Sequence, residues 1–318
     1  MAEIRRAAEI LRAGGLVAFP TETVYGLGAD ASSAAAVARL YAVKGRPPNH
    51  PVIVHFASFE SAFSFSREVP AAARKLAERF WPGPLTLILK RSSRAKDFVT
   101  GGQDSIGLRV PSHAVAQELL HLFGAEEWGR RFSGVAAPSA NLFGRVSPTS
   151  AAHVRADLSD LVDLVLDGGI SEVGIESTIV DLSGAEPALL RPGFISRFQI
   201  EEILGVKISN RTSASPRHSG GLERHYAPAT PARLVSSHAL DAEIAKGGTD
   251  VAVLAFSKPD ERVDYWIRMP REPRAYAQRL YAALRELDAA QCERILIEEP
   301  TDTPEWAAIR DRLMRATG

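Results

Sequence analysis

Short apolar runs alternate with segments of helical periodicity along the first 200 residues. Apolar residues recur at helical spacing in 34–43 and 71–80, which predicts two helices. We expect strands at 16–19, 52–56, 85–90, 106–110, 134–137, 161–166, 177–182 and 188–191. These are more strands than a minimal doubly wound domain holds, and turns such as Trp81-Pro82-Gly83-Pro84 separate them. The pattern therefore predicts an α/β fold with a mixed, twisted sheet covered by helices.

The pattern changes after Gly205. Residues 206–229 are rich in Ser, Arg, Pro and Gly and hold little that could form a core, so we interpret them as a linker. Strands are then expected at 233–236, 250–256 and 293–297, and helices at 274–287 and 304–314. We predict three parts: a first domain at 1–205, the linker or lid at 206–229, and a smaller open-sheet α/β domain at 230–318.

Composition excludes several classes of protein. The chain has 318 residues, of which 45% are hydrophobic, with 38 Lys and Arg against 38 Asp and Glu. Residues 1–205 hold 21 basic and 22 acidic side chains, so the first domain lacks the surplus of positive charge that nucleic-acid binding needs. The single cysteine, Cys292, excludes an internal disulfide and a cysteine-built zinc site. We expect a cytoplasmic protein without membrane contact, because no apolar run reaches the roughly 18 residues of a membrane span.

The segment 19–28, FPTETVYGLG, is the first candidate site. We expect Pro20 to end a strand and the two glycines to turn the chain into a helix. Three hydroxyls, from Thr21, Thr23 and Tyr25, would then lie at a strand edge, where α/β proteins bind ligands. The alternative is a polar turn whose hydroxyls cap that helix.

Two cations and a histidine share the proline-rich turn KGRPPNHP. Because proline restricts the backbone, Lys44 and Arg46, with His50, are placed to hold a triphosphate. The simpler alternative is that Lys44 only complements the dipole at a helix end. His55 lies in the expected strand 52–56, where a lone histidine is more often a half-buried structural residue.

The strand expected at 106–110 has a period of two. Ile106, Leu108 and Val110 would face a core, which leaves Ser105 and Arg109 on the other face beside the gap left by Gly107. Such an arginine can bind a carboxylate through two hydrogen bonds. The alternative is an exposed sheet face with a surface salt bridge.

Further polar residues follow small or turn-forming ones. They are Ser139 and Asn141 after Ala137, Ser147 (or a helix start near Ser150), Ser177 and Thr178, and Arg191. Together the motifs supply four cations and many neutral donors but no evident nucleophile. The common phosphate-binding and hydrolase motifs are absent, so any nucleotide site belongs to neither common class.

Seven of these segments occur in an order that resembles a known family. They are FPTETVYGLGADA, KGRPPNHPVIVH, FWPGPLTLIL, IGLRVPSH, APSANLFGRVSPT, GIESTIVDL and LLRPG. This order resembles the threonylcarbamoyl-AMP synthase family, also called YrdC-like. The second domain, introduced by His225-Tyr226-Ala227-Pro228, resembles the carboxy-terminal domain of its long members.

The resemblance implies an activity. It implies that L-threonine, bicarbonate and ATP react to give threonylcarbamoyl-AMP and pyrophosphate, with Mg²⁺ carried mainly by ATP. The product would serve the threonylcarbamoyladenosine modification beside the tRNA anticodon, by hand-off to the complex that modifies tRNA. Contact with tRNA itself is left open.

The resemblance also implies residue roles. Lys44, Arg46 and Arg109 would be catalytic. The threonine site would comprise Thr23, His55, Arg109, Ala137, Ser177 and Thr178. The ATP site would comprise Lys44, Arg46, His50, Ser105, Ser139, Asn141, Ser147, Arg191, His225 and Tyr226, the last two within a linker that folds back over the site.

The sequence departs from the family at two places. The long members often carry Ser-Pro-Gly-Met-Lys ahead of His-Tyr-Ala-Pro, whereas this chain has SPRHSGGLER at 215–224, and asparagine is common at position 50. Two other functions compete: an RNA-binding module without turnover, and a carbamoyl-adenylating enzyme like the hydrogenase maturation factors. The latter need further acylphosphatase and zinc-binding domains.

Overall fold

A computed structural model describes residues 1–125, 133–247, 250–257, 260 and 263–318. The helices are α1 (Ala2–Arg12), α2 (Ala34–Lys44), α3 (Phe59–Phe63), α4 (Ala71–Phe80), α5 (Asp97–Thr100), α6 (Ala114–Phe123), α7 (Ala151–Leu158), α8 (Arg197–Leu204), α9 (Leu240–Gly247), α10 (Pro273–Ala289) and α11 (Ala307–Thr317). The strands are β1 (Val17–Phe19), β2 (Gly26–Asp30), β3 (Val54–His55), β4 (Leu85–Lys90), β5 (Ser105–Arg109), β6 (Val135–Ala136), β7 (Leu164–Val165), β8 (Thr178–Asp181), β9 (Ala188–Arg191), β10 (Ser209–Asn210), β11 (Ala232–Val235), β12 (Val251–Ala255), β13 (Tyr265–Arg268) and β14 (Arg294–Glu298).

The first sheet is mixed, as the sequence predicts. Within the described residues its strand order is β10-β9-β8-β4-β5-β3-β6-β2-β1-β7. Parallel pairs such as β3 with β5 and β4 with β8 alternate with antiparallel pairs such as β4 with β5. β3 and β5 bring His55 and Arg109 opposite each other. This register places two chemically active side chains side by side near the middle of the sheet.

The segment after β1 differs from the prediction. The chain turns back as β2, antiparallel to β1, and does not begin a helix. Gly28 explains the close packing: a Cβ there would lie 2.9 Å from Val135 Cγ1 and 3.0 Å from Phe19 Cε1. The glycines therefore permit a crowded strand, while Pro20 ends β1 as expected. The alternative that the hydroxyls cap a following helix is wrong.

The second sheet is smaller and parallel, with the order β11-β14-β12-β13 in the described residues. α10 packs on it through Leu280, Leu284 and Leu287, the face that the sequence predicts. The short strand β13 was not expected. No described helix is both long and apolar enough to cross a lipid bilayer.

The two sheets are joined by a shared apolar core. Val24, Val146, Val173 and Ile175 from the first part of the chain pack in one cluster with residues of α10 and α11. Contact is tightest at Gly174, where a Cβ would lie 2.4 Å from Gln278 Cα. Gly174 also has a φ of +78°, so only glycine fits both requirements. The predicted domain boundaries stay predictions. β10 falls within the predicted linker but pairs with β9 of the first sheet.

Candidate active site

A cleft lies beside the first sheet. It is lined by the β1–β2 turn, the end of α2, β3, β5, the segment 137–144 after β6, the two residues before β8, the end of β9 and the linker. Twelve of the sixteen residues that the resemblance assigns to the site line it, and so do Thr21 and Tyr25. The twelve are Thr23, Lys44, Arg46, His55, Arg109, Ala137, Ser139, Asn141, Ser177, Arg191, His225 and Tyr226. Residues from six of the seven motifs, together with His225 and Tyr226 of the linker, thus meet in one place.

Arg109 forms a buried ion pair with a carboxylate that the sequence analysis did not single out. Its Nη2 lies 2.8 Å from Glu22 Oε1, and both side chains are about 5% exposed. The contact is close, but it lacks the alignment of a hydrogen bond, so Nη2 and both Glu22 oxygens have no hydrogen-bond partner within the described structure. A buried guanidinium with unaligned donors is suited to a second carboxylate.

His55 stands beside this pair as a neutral imidazole. Burial, and then the positive charge of Arg109, lower the pKa of His55 to about 3. The Phe19 ring lies edge-on to it, with ring centroids 6.2 Å apart. His55 is therefore a buried residue, as its strand position indicates, but it lies against the cleft and contributes no charge there at neutral pH.

The end of α2 supplies two further cations. Gly45 takes a φ of +62° and ends the helix, so that Lys44 and Arg46 turn into the cleft. Lys44 Nζ donates to the carbonyl oxygens of Ser139, at 2.6 Å, and Asn141. Burial, and then the charge of Arg46, hold the pKa of Lys44 well below its usual range. A bound anion would offset both effects.

Arg46 and Arg191 reach the linker as well as the cleft. Arg46 Nη2 donates to Pro51 O at 2.6 Å and lies 3.4 Å from Ser219 Oγ. Arg191 donates to Ser177 O and Ser177 Oγ at 3.0 and 3.1 Å, and to Ser219 O at 3.0 Å. Among the described lining residues the cations are therefore Lys44, Arg46, Arg109 and Arg191.

Four predicted site residues lie outside the lining of the cleft. Ser147 instead donates to Glu176 Oε1 at 2.6 Å, and Thr178 exchanges hydrogen bonds with the main chain of Ile195. His50 packs against the Phe143 ring at 5.6 Å, and Ser105 is buried in β5. Their roles as direct ligands stay predictions.

Two expectations about the sheet face at Arg109 are wrong. The face is not exposed, because Ser105 and Arg109 are buried. Gly107 does not leave room for a ligand either, since a Cβ there would lie 3.3 Å from Ile53 Cγ1. Arg109 and Ile53 line the cleft, whereas Gly107 and Ser105 do not.

The linker closes the cleft through Ser219, Gly220, His225 and Tyr226. The segment upstream of His225 is held in spite of its unusual sequence: Arg217 Nη2 donates to Gly101 O at 2.8 Å, and Arg217 N donates to Gln103 Oε1 at 2.7 Å. A Cβ at Gly220 would lie 2.0 Å from the Tyr226 hydroxyl oxygen. The same Cβ would lie 3.2 Å from Arg191 Nη1, so the linker packs closely against itself and against Arg191 at this point.

Tyr226 has a strained backbone, with a φ of +61° that non-glycine residues rarely adopt. Its ring is buried against His225, with centroids 4.2 Å apart, and near Tyr281 at 5.9 Å. Such strain persists only where surrounding contacts enforce it and is frequent at ligand sites.

Two protein-family models together match most of this chain. A family model described as "Telomere recombination" matches residues 9–193, and a model described as "Threonylcarbamoyl-AMP synthase, C-terminal domain" matches residues 195–318. Threonylcarbamoyl-AMP synthase of Pyrococcus abyssi is 37% identical over 99% of this chain and 94% of its own length. The chain belongs to the threonylcarbamoyl-AMP synthase family. It is therefore an enzyme of the nucleotidyltransferase kind.

Other members of the synthase family agree with this assignment. The Bacillus subtilis protein is 37% identical over 99% of this chain and 93% of its own length. A crystal structure of P. abyssi Sua5 complexed with L-threonine superposes with a TM-score of 0.90, at 37% identity over 99% of this chain and 94% of that one. The family resemblance and the fold class that the sequence predicts are confirmed.

Several lining residues of this synthase-family site escaped sequence analysis. Glu176 lines the cleft directly beside Ser177, and Phe143, Gly144, Ser219 and Gly220 line it as well. Glu176 lies inside the motif GIESTIVDL, directly before Ser177, and this position could have identified it as a candidate site residue. Its partner Arg312 lies 136 residues away, and only the folded chain brings the two together.

Acid should destabilise the protein through buried histidines. Burial, followed by the charge of Arg109 or Arg191, lowers the pKa of His55 to about 3 and of His218 to about 4; burial also lowers the pKa of His225 to about 3. Unfolded histidines bind protons near pH 6.5. The unfolded state thus binds more protons below that pH, so stability falls as the pH drops from about 6.5 towards 4.

We expect the urea midpoint to fall between pH 6.5 and 4.5, with up to about 1.4 kcal/mol of stability lost per pH unit and histidine. The variant His218→Asn should show a shallower fall. His238→Asn removes an exposed histidine and should match the wild type. A midpoint that does not change over this range would contradict the argument.

Proposed function

We propose that the protein is an L-threonylcarbamoyladenylate synthase. The proposal rests on one observation above others: a buried arginine with unaligned donors and three further cations line a single cleft that holds no evident nucleophile among its described residues. Such a cleft can bind a carboxylate and a polyphosphate together. In such a reaction the substrates supply nucleophile and leaving group, and the protein positions them and stabilises charge.

The proposed reaction has two bond-forming steps. The amine of L-threonine attacks the carbon of bicarbonate, a nitrogen–carbon bond forms, and water leaves to give a carbamate. A carbamate oxygen then attacks the α-phosphorus of ATP, and the bond to the bridging oxygen of pyrophosphate breaks. The products are threonylcarbamoyl-AMP, pyrophosphate and water, so no oxidant or reductant is needed.

We assign Arg109 to the threonine carboxylate. Arg109 is held at 2.8 Å from Glu22 without an aligned hydrogen bond, and neutral His55 lies opposite it in the neighbouring strand. Neutral His55 adds no second charge that would compete for the carboxylate. Thr23, Ala137, Ser177 and Thr178 complete the proposed threonine site, although the Thr178 hydroxyl is held by Ile195.

Lys44, Arg46 and Arg191 are assigned to the phosphates of ATP. An ammonium has three donors, and Lys44 uses two of them for main-chain oxygens, which leaves one for a ligand. Asn141, Ser139, His225 and Tyr226 line the same space. His50, Ser105 and Ser147 remain proposed members of this site that would act from its periphery.

Mg²⁺ is proposed to arrive with ATP. Glu176, which lines the cleft, is paired with Arg312, and Glu22 is paired with the lining residue Arg109. No group of three or more His, Cys, Asp and Glu residues in the described ranges could hold a metal ion. These residues fit a metal bound chiefly by phosphate oxygens and water, where it would neutralise charge on the phosphates.

The product is proposed to pass to a complex that modifies tRNA beside the anticodon, in the cytoplasm. An RNA-binding module without turnover is the alternative. The balanced charge of residues 1–205 speaks against it, because binding to phosphate backbones needs a surplus of Lys and Arg. Salt-dependent RNA affinity without ATP turnover would favour the alternative.

Pyrophosphate release tests the proposed function. Purified protein is given ATP and Mg²⁺, with bicarbonate and L-threonine added separately and then together, and with L-serine in place of threonine as a control. We expect release only when both substrates are present, and more with threonine than with serine. Release that ignores threonine would indicate another adenylating reaction and contradict the proposal.

A further inference from the structure

A buried ionic network joins the second sheet's helices to the wall of the cleft. Glu176 Oε2 accepts hydrogen bonds from Arg312 Nε at 2.8 Å and from the Tyr281 hydroxyl at 2.9 Å. Arg312 in α11 and Tyr281 in α10 are both fully buried. Glu176 itself lines the cleft. Two side chains distant in sequence therefore fix a carboxylate at the candidate active site.

Arg312 also holds the neighbourhood of Arg191 and of Tyr226. Its Nη1 donates to Pro192 O at 2.9 Å, and its Nη2 donates to Glu176 O at 3.2 Å. The guanidinium carbon lies 5.4 Å from the centroid of the Tyr226 ring, a cation–π distance. Arg312 thus contacts Pro192, which follows Arg191, and Glu176, which precedes the Arg191 partner Ser177. It also contacts the strained Tyr226 of the linker.

The same helix holds the linker through its main chain. Arg315 O accepts a hydrogen bond from His225 N at 3.0 Å, and the Arg315 side chain donates to Leu222 O. Downstream, Ala227 N donates to Gly144 O at 2.9 Å. α11 therefore fastens the linker immediately before Tyr226, while the first part of the chain fastens it immediately after.

The positive charge of Arg312 stabilises the ionised Glu176 carboxylate at the cleft. Burial opposes ionisation of Glu176, but the charge of Arg312, followed by that of Arg191, brings the Glu176 pKa below its ordinary value. Arg191 lines the same cleft as Glu176 and donates to Ser177, the next residue along the chain, so it is a neighbouring cation available to the carboxylate. While Arg312 and Tyr281 satisfy Glu176, the donors of Arg191 go to Ser177 and Ser219 and stay oriented in the cleft. Without Arg312 and Tyr281, the Glu176 carboxylate would pair with Arg191 and neutralise its positive charge.

We propose that Arg312 and Tyr281 are positioning residues that keep Glu176 from neutralising Arg191 and hold Tyr226 over the cleft. The helices of the second sheet thereby complete the nucleotide half of the site. The identity of the nucleotide rests on the proposed function above; the closure of the linker does not.

Steady-state kinetics test the effect on the nucleotide. Arg312→Met should raise the KM for ATP about tenfold or more, since it removes charge-assisted hydrogen bonds, and should leave the KM for threonine within about twofold. Arg312→Lys should recover part of the loss because it keeps a charge beside Glu176. Arg310→Met is the matched control: Arg310 lies on the same helix but pairs with Glu299 and Asp302, and its loss should change either KM by less than about twofold.

Amide hydrogen exchange tests the closure without any substrate. In Arg312→Met the amides of His225 and Ala227 should exchange about tenfold faster or more, while those of β4 and β5 stay protected. Tyr281→Phe deletes one hydroxyl and keeps the ring, so it remains informative should Arg312→Met not fold; it should accelerate the same amides by a smaller factor. Unchanged linker amides together with an unchanged KM for ATP would overturn the proposal, as would a uniform loss of protection in all elements of Tyr281→Phe. Absence of pyrophosphate release by the wild type would contradict the proposed function instead. The hydrogen-exchange pattern would still test the positioning role of Arg312 and Tyr281.

Discussion

Replacing Arg109 with lysine is expected to lower kcat/KM for L-threonine roughly 30- to 700-fold. Lysine keeps the positive charge that buried Glu22 requires, but it cannot offer the two parallel donors that a carboxylate binds. Truncating one partner of a buried, hydrogen-bonded charge pair costs about 2–5 kcal/mol, and the charge that lysine retains keeps the expected loss at about 2–4 kcal/mol. About 1.4 kcal/mol corresponds to a factor of ten. The KM for ATP should change by less than about threefold, because Lys44, Arg46 and Arg191 are untouched.

The choice of lysine matters for this experiment. Arg109→Ala would leave Glu22 buried without a counter-charge, which destabilises a protein by about 3–5 kcal/mol and would confuse folding with binding. Arg67→Lys is the matched control, since Arg67 makes a bidentate pair with Asp104 at the exposed surface. It should behave as wild type. An Arg109→Lys variant with normal threonine kinetics would show that Arg109 does not hold the substrate carboxylate.

The Lys44→Met variant is expected to lose about 100-fold or more in kcat/KM for ATP. Methionine fills a similar volume but removes the charge, and about 3 kcal/mol is a typical loss for a buried charged contact to phosphate. Two carbonyl oxygens, of Ser139 and Asn141, also lose their donor. L-threonine binding without ATP, measured by calorimetry, should stay within about twofold of wild type.

Lys90→Met is the control for this substitution. Lys90 makes an exposed ion pair with Glu68, so the same chemical change at the surface should leave ATP kinetics unaltered. Equal losses for ATP and threonine in Lys44→Met would mean that the cleft had collapsed. A normal kcat/KM for ATP would remove Lys44 from the nucleotide site.

Much of the fold follows from local sequence patterns. The alternation of apolar runs and helical periods predicts β4, β5, β9 and α10 close to their observed bounds, because each buries a continuous apolar face. The segment FPTETVYGLG was misassigned because a proline and two glycines are equally compatible with a helix start and a crowded strand. β10 and β13 are short strands at the edges of the two sheets, and each is stabilised by pairing with one neighbouring strand.

The candidate site divides along similar lines. Residues that carry ligand chemistry within a motif, such as Lys44, Arg109 and Arg191, could be named from the sequence. Their partners could not, because Glu22 lies 87 residues from Arg109 and Arg312 lies 136 residues from Glu176. Long-range pairing of this kind depends on the whole fold, and no local spacing encodes it. For the same reason the sequence did not predict that Tyr281 and Arg312, on helices packed against the second sheet, hold Glu176 at the cleft.

Mass spectrometry of the nucleotide product tests the central claim most directly. The protein is incubated with ATP, Mg²⁺, L-threonine and ¹³C-labelled bicarbonate, and the products are separated at once because the adenylate is labile. We predict an adenylate that contains threonine and is heavier by one mass unit than the product from unlabelled bicarbonate, with pyrophosphate formed in equal amount. An adenylate without the label, or AMP formed without incorporation of threonine, would contradict the assignment of this cleft to threonylcarbamoyl-AMP synthesis.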